Sequence, residues 1–259
     1  MRISLNFLKA LGMSFFLMGL AHAAPDAQEI LAASDAVRNP DHPFGMINML
    51  IEYRNGKQTD TSTLAVYSKA DKSSGRFRSL IRYVSPARDA NKLILYSDKD
   101  MWFYDPANKA SIRLSPQQRL LGQASNGDVA TVNLSKDYAA TLVGEEDTQD
   151  GERKTRRCYR LKLAAIGPDA TYHHIETWID SSNYQTVKTR FYSESGKLLK
   201  TAYYRRYQYQ LGAERPSETV IIDGLDPNWM TVMRFSDYAK REVPDHWLQR
   251  DYLPRFKPE

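Results

Sequence analysis

The chain of 259 residues carries 36 Lys and Arg against 31 Asp and Glu, a formal charge of +5, and one cysteine. So small an excess excludes a nucleic-acid surface as its organising feature, and one thiol excludes an intramolecular disulfide. Stability must come from a hydrophobic core, for which this length suffices as one β-rich domain.

The first element in chain order is a leader. Arg2 and Lys9 flank a basic start, ALGMSFFLMGL is an apolar core too short for a permanent span, and Ala21-His22-Ala23 is a small-x-small triplet. This reads as a secretory signal peptide over residues 1–23, cut after Ala23, with an uncleaved anchor as the bland alternative. Residues 24–259 follow as a single exported domain.

In PDAQEILAASDAVRNP, Ile30, Leu31, Ser34 and Val37 fall on one helical stripe between two prolines, which predicts a short amphipathic helix. GMINMLIEY and TSTLAVYSKA flank Asn55-Gly56, the pair that supplies both positive φ angles of a type I′ hairpin turn. FRSLIRYV, LILYS, MWFYD and ASIRLS continue as a meander. Ser115-Pro116-Gln117-Gln118 has the form of a helix start and Gly122 of a stop, so RLL is predicted as a turn or two of helix. YAATLVGE, RRCYRLKLAAI, YHHIETWID, TVKTRFYSE, LLKTAYYRRYQYQL, SETVIIDGL and TVMRFSDY bring the total to ten or more antiparallel strands. In the tail, DHWLQRDYLPRF, Asp245 is a predicted N-cap and Pro254 a stop for a last helix that holds Trp247 and Leu248 on the sheet.

The strand MWFYD is apolar on both faces, Met101 with Phe103 and Trp102 with Tyr104, so something must cover each. A second sheet, a partner or a hollow holding an apolar ligand would do so. Helices before, between and after the strands favour a mainly β fold: a single strongly curved antiparallel sheet, a half-barrel capped by short helices.

Little in the chain points to catalysis, and the protein reads as a non-enzyme. It has no G-x-S-x-G elbow and no phosphate loop, and Cys158 sits mid-strand with no histidine nearby in sequence. His174 and Glu176 share a strand face beside His173, but a metal needs three or four ligands and no second cluster exists, so neither metal nor cofactor is expected. Glu145, Glu146, Asp147 and Asp150 read as solvated charges flanking a tight turn rather than glycosidase acids. The run from Tyr203 to Tyr209 reads as a tyrosine-rich strand at a sheet edge or cavity rim, not as a base-stacking patch.

Trp102, Tyr104, Asp105 and Pro106, then RLSPQQRLLGQASNGD over residues 113–128, then Asp137-Tyr138, resemble the outer-membrane lipoprotein-sorting protein family, the relatives of the periplasmic LolA carrier. The match in pattern runs over residues 44–256. The resemblance implies a periplasmic half-barrel closed by a helical lid, which carries a lipid or lipid-modified protein between two membranes. Its branch implies service to a permease of the resistance-nodulation-division (RND) class, transient membrane contact, and a monomer.

Such a carrier needs a loose apolar hollow, because an acyl chain moved from bilayer to water costs about 0.8 kcal/mol per CH₂. Met46, Met49, Leu80, Leu95, Trp102, Tyr104, Trp178 and Phe191 are the candidate lining. Leu120 and Leu121 are the candidate lid, and Arg82 and Arg119 the candidate rim for an anionic head group. A non-transport module or envelope-stress sensor docking to a membrane complex is the alternative use of the same fold, and a hydrolase of envelope polymers a third.

Overall fold

The computed structural model describes residues 25–97, 100–168 and 170–257; the leader and its cut after Ala23 lie outside them. Helix α1 (Ala27–Arg38) starts where the Asp26 carboxylate accepts from the backbone N–H groups of Gln28 and Glu29, and it buries Ile30, Leu31 and Ser34.

Strands β1 (Phe44–Arg54), β2 (Lys57–Ala70), β3 (Phe77–Ser85), β4 (Leu93–Ser97), β5 (Asp100–Asp105) and β6 (Ala110–Leu114) make one meander. A second contains β9 (Tyr138–Gln149), β10 (Thr155–Ala165), β11 (His174–Asp180), β12 (Thr186–Tyr192), β13 (Leu198–Gln210), β14 (Ala213–Asp223) and β15 (Trp229–Lys240). Among the described residues these form one antiparallel sheet of 13 strands, in the order 6-5-4-3-2-1-15-14-13-12-11-10-9. The ends of the chain thus meet in the middle, where β1 pairs with β15. The sheet is an unclosed, curved half-barrel, and its edge strands β6 and β9 are joined by residues 115–137. Asn55 and Gly56 both take positive φ, 51° and 75°, at the β1–β2 turn.

Both faces of β5 are covered, by different means. Met101 and Phe103 join the inner core with Leu50, Leu64, Ile81 and Ile94. Trp102 and Tyr104 join an outer cluster with Leu80, Leu93 and Leu95, closed by Val243, Trp247, Leu248 and Leu253 of the C-terminal segment. That segment is not the predicted α-helix. It makes two 3₁₀ turns, Asp245–Leu248 and Arg250–Arg255, and their shorter repeat tolerates Pro254 inside the second. Asp245 caps nothing; its carboxylate pairs with Lys69 at 2.8 Å and Arg78 at 3.0 Å.

One further expectation is corrected and two are sharpened. RLL is a strand: β7 (Arg119–Leu121) pairs with β8 (Ala124–Ser125), and the flanking backbone is satisfied by Asn126 N–H to Gln118 O and Gly127 N–H to Pro116 O instead of by helical bonds. Glu145, Glu146 and Asp147 lie at the end of β9 beside the Asp150 turn, open to solvent as expected, and also pair with Arg157 and Arg160 of β10. The tyrosine-rich β13 is an interior strand hydrogen-bonded to β12 and β14, so of the two places expected for it, sheet edge or cavity rim, the edge is ruled out, and Tyr204 faces a hollow on the inner face.

On the outer face of β13–β15, Glu218 is 1% exposed and accepts from Arg205 Nε at 2.6 Å and Arg234 Nε at 3.0 Å. Burial pushes its carboxyl up, the hydrogen-bonded arginines pull it down, and the net value lies below the ordinary one. A depressed carboxyl stabilises the fold above its unfolded value, ~4.3, and that stability is lost as pH falls through the folded value.

Two outcomes follow. Trp247→Ala, which empties the outer cluster, costs about 3–5 kcal/mol, seen as a lower urea midpoint; a change under ~1 kcal/mol would mean the tail is ornamental. Glu218→Gln lowers the melting temperature at pH 7 and flattens its decline below pH ~4.3, measurable by thermal melts over a pH series.

Candidate functional site

Residues 122–137 cross the inner face of the sheet and are fixed there by specific polar contacts. Gln123 N–H donates to Thr231 Oγ1 at 2.8 Å, and the Thr131 hydroxyl lies 2.8 Å from that of Ser68. Gly122 at φ +55° brings the chain so close to Thr231 that a Cβ would lie 2.3 Å from its oxygen. Ser125 and Asp128 form a capping box, with Ser125 N–H donating to Asp128 Oδ2 at 2.7 Å.

The centre of this anchorage is Lys200 of β13, 3% exposed. Its ammonium donates to Asp128 Oδ2, to Gln123 O at 2.9 Å and to Ser125 Oγ at 3.3 Å. Asp128 Oδ1 accepts from the Tyr172 hydroxyl at 2.8 Å, and the Tyr172 ring packs on Phe191 with centroids 4.4 Å apart. Burial holds the Lys200 ammonium below the ordinary lysine value, against the pull of Asp128. Burial likewise drives the Tyr172 phenol well above its ordinary value, so it stays a donor.

Around the anchorage lies a hollow of about 250 Å³. Met46, Phe191, Ala202, Ile221, Met233 and Phe235, from β1 and β12–β15, give it an apolar floor. Residues 127–132 and the end of α1 form its roof, and Tyr96, Tyr138, Tyr204 and Tyr238 place phenols around it. Ile166, 63% exposed, also lines it, so the hollow reaches the surface beside the β10–β11 loop. Two arginines stand at its rim. Arg38 donates to Asp35 Oδ1 at 2.6 Å and Val132 O at 3.0 Å, and Arg76 to Asp137 Oδ1 at 2.8 Å and Lys136 O at 2.7 Å.

Of the eight residues expected to line a cavity, the structure brings Met46 and Phe191 to the hollow. Leu80, Leu95, Trp102 and Tyr104 are on the opposite face under the C-terminal segment, and Arg250 lies over the Trp102 ring. Met49 points outward, 39% exposed, and Trp178 is buried on the outer face with Cys158 and Val187.

Leu120 and Leu121 are not a helical lid; they sit in β7 and line a smaller, charged recess with Tyr83, Asp89 and Lys92. Arg82 reaches Asn91, and Arg119 stacks over Trp229 near Asp223, so neither lies at the hollow. The rim arginines Arg38 and Arg76 left no mark in the sequence, because each is set by a tertiary partner. Glu176 is held by Arg160 and Tyr192, and no group of three potential metal ligands occurs among the described residues.

Lys200→Met leaves the Asp128 carboxylate buried without its cation, which costs about 3–5 kcal/mol. The double variant Lys200→Met, Asp128→Asn removes both charges while its one amide oxygen still accepts from Tyr172, and it recovers part of that loss in denaturant titrations. No recovery would show that charge pairing is not what holds the segment.

A family model described as "uncharacterized protein" matches residues 75–255. No curated protein matches the chain. Among solved structures, it is similar to a LolA superfamily protein from Nitrosomonas europaea, with 32% identity over 88% of this chain and all of that one, and a TM-score of 0.79. It is similar in fold to a DUF1329 family protein from Desulfovibrio piger, at 22% identity, 88% and 97% coverage and a TM-score of 0.74. A putative outer membrane lipoprotein-sorting protein domain from Vibrio parahaemolyticus shares the fold at 18% identity, 88% and 98% coverage and a TM-score of 0.74.

Proposed function

The chain belongs to the LolA superfamily, and from that premise we propose that it is a periplasmic carrier. It takes the hydrocarbon of a lipid or lipid-modified protein into the hollow and moves it between envelope membranes in the service of an RND-type permease. The observation that carries this reading is the apolar floor of the hollow, laid on the inner face of a half-barrel and reaching the surface at Ile166.

The energetics suit a carrier. A long acyl chain brings on the order of 10 kcal/mol of hydrophobic cost into water, at about 0.8 kcal/mol per CH₂. Met46, Met233 and Phe235 are soft or planar groups that fit chains of different shape. The tyrosine phenols and the rim arginines Arg38 and Arg76 stand where a polar head would emerge.

A hollow of about 250 Å³ lies below the ~300–1,000 Å³ of ordinary ligand sites. It takes part of a chain unless it widens. That same size favours the second reading, a docking module that carries no cargo.

Mass spectrometry of organic extracts, together with displacement of a fluorescent fatty acid, separates the two. The carrier yields co-purified lipid, and Ala202→Phe, which fills the floor, weakens fatty-acid binding at least tenfold while costing about 1–3 kcal/mol of stability. Extracts free of lipid and no displaceable binding would leave the docking module standing.

A further inference from the structure

The outer face of the sheet is divided. Over β2–β5 the C-terminal segment closes it, whereas over β10–β13 it is bare and basic. Trp178 of β11 sits at the centre of that bare half. Lys188 Nζ lies 4.0 Å from its ring centroid, and the guanidinium carbons of Arg160 and Arg190 lie 5.3 and 5.4 Å from it.

The charges around this indole do not balance. Glu146 accepts from Trp178 Nε1 at 2.6 Å and stands 3.5 Å from Arg160; Glu176 accepts from Arg160 at 3.1 Å and from the Tyr192 hydroxyl at 3.0 Å. Both carboxylates are therefore committed to Arg160 and its neighbours. Lys188 and Arg190 stand two residues apart on the same face of β12, and among the described residues neither is in an ion pair. The Nε atoms of Arg160 and Arg190 are buried without a hydrogen-bond partner. In the ladder Arg190 stands opposite Glu176, whereas Lys188 stands between Trp178 and Tyr203 with no carboxylate opposite it, so its charge is the one left for an incoming anion. Lys162, exposed and on the same face of β10, stands opposite Glu176 and adds a further cation to the patch.

We propose that this bare face of β10–β12 docks the protein on a bilayer surface through the phosphates of anionic phospholipids. The cations are spread over three neighbouring strands, β10–β12, which matches a field of head groups. The choice of a membrane as partner rests on the carrier reading; the choice of an anion rests on the unbalanced charges alone. Juxtamembrane basic residues gain roughly 1 kcal/mol each near an anionic leaflet, a term that salt screens.

Co-sedimentation of the full chain with phosphatidylglycerol-containing and pure phosphatidylcholine vesicles tests it. Binding is expected to the anionic vesicles only, to weaken with salt, and to fall about tenfold or more in Lys188→Glu, Arg190→Glu. Because those side chains cover Trp178, the exposed Lys162→Glu serves as the variant that keeps the fold, with a smaller loss in the same direction. Lys57→Glu, Lys109→Glu has the same net charge as the double variant, at sites off this face, and is expected to keep most of the binding.

Equal losses in that control would overturn the proposal, as would binding of inorganic phosphate or an acidic peptide with no binding to vesicles. Fatty-acid displacement by Lys188→Glu, Arg190→Glu is expected to match the wild type. Vesicle binding without any fatty-acid binding would sink the carrier and leave the docking face intact.

Discussion

An ammonium and a carboxylate buried against each other, Lys200 and Asp128, set the geometry on which the inner face depends. Taking each ion out of water costs several kcal/mol, and only a full set of hydrogen bonds offsets it. Here the set is full: Tyr172 and the Ser125 N–H complete Asp128, while Gln123 O and Ser125 Oγ complete Lys200. Apolar contacts alone are non-directional and would let residues 122–137 slide over the sheet. The ion pair allows one position, and that position decides how much room is left between roof and floor.

The same pair explains what was legible in the sequence. Alternation, the Asn55-Gly56 turn and the apolar stripe of α1 are local signals, and these elements appeared where their residues pointed. The segment after β6 carries a helix-start pattern at Ser115 that the structure does not use. The capping box forms instead at Ser125, because Asp128 is positioned by Lys200, 72 residues away. No window of sequence around Ser115 contains that information.

Met46 and Phe191 line the hollow, and the other expected lining residues lie elsewhere for a different reason. Leu80, Leu95 and Trp102 are true cross-strand neighbours, aligned across β3, β4 and β5, so the ladder itself was readable from the pattern. A period of two says which residues share a face but not which face is inside. In this chain both faces are apolar over β3–β5, and the deciding element is a tail more than 130 residues downstream of β5, whose Trp247 and Phe256 pack on Tyr67. The missed floor residues, Ala202, Ile221 and Met233, lie on strands of the second meander that looked like ordinary half-buried sheet.

Closing one half of the outer face with hydrocarbon and leaving the other half charged has a consequence for the inner one. A sheet covered on both sides is rigid, and its curvature is fixed by packing on either face. Over β10–β15 the outer side is held by ion pairs and cation–π contacts, as at Glu218 and Trp178, which are weaker and partly hydrated. The strands that supply most of the floor of the hollow are therefore the ones with the less rigid backing. A hollow of about 250 Å³ can widen most readily on that side, against a roof whose place is fixed by Lys200. Room for a longer chain would then come from flexing the floor strands, without separating the charged pair that would be expensive to expose alone.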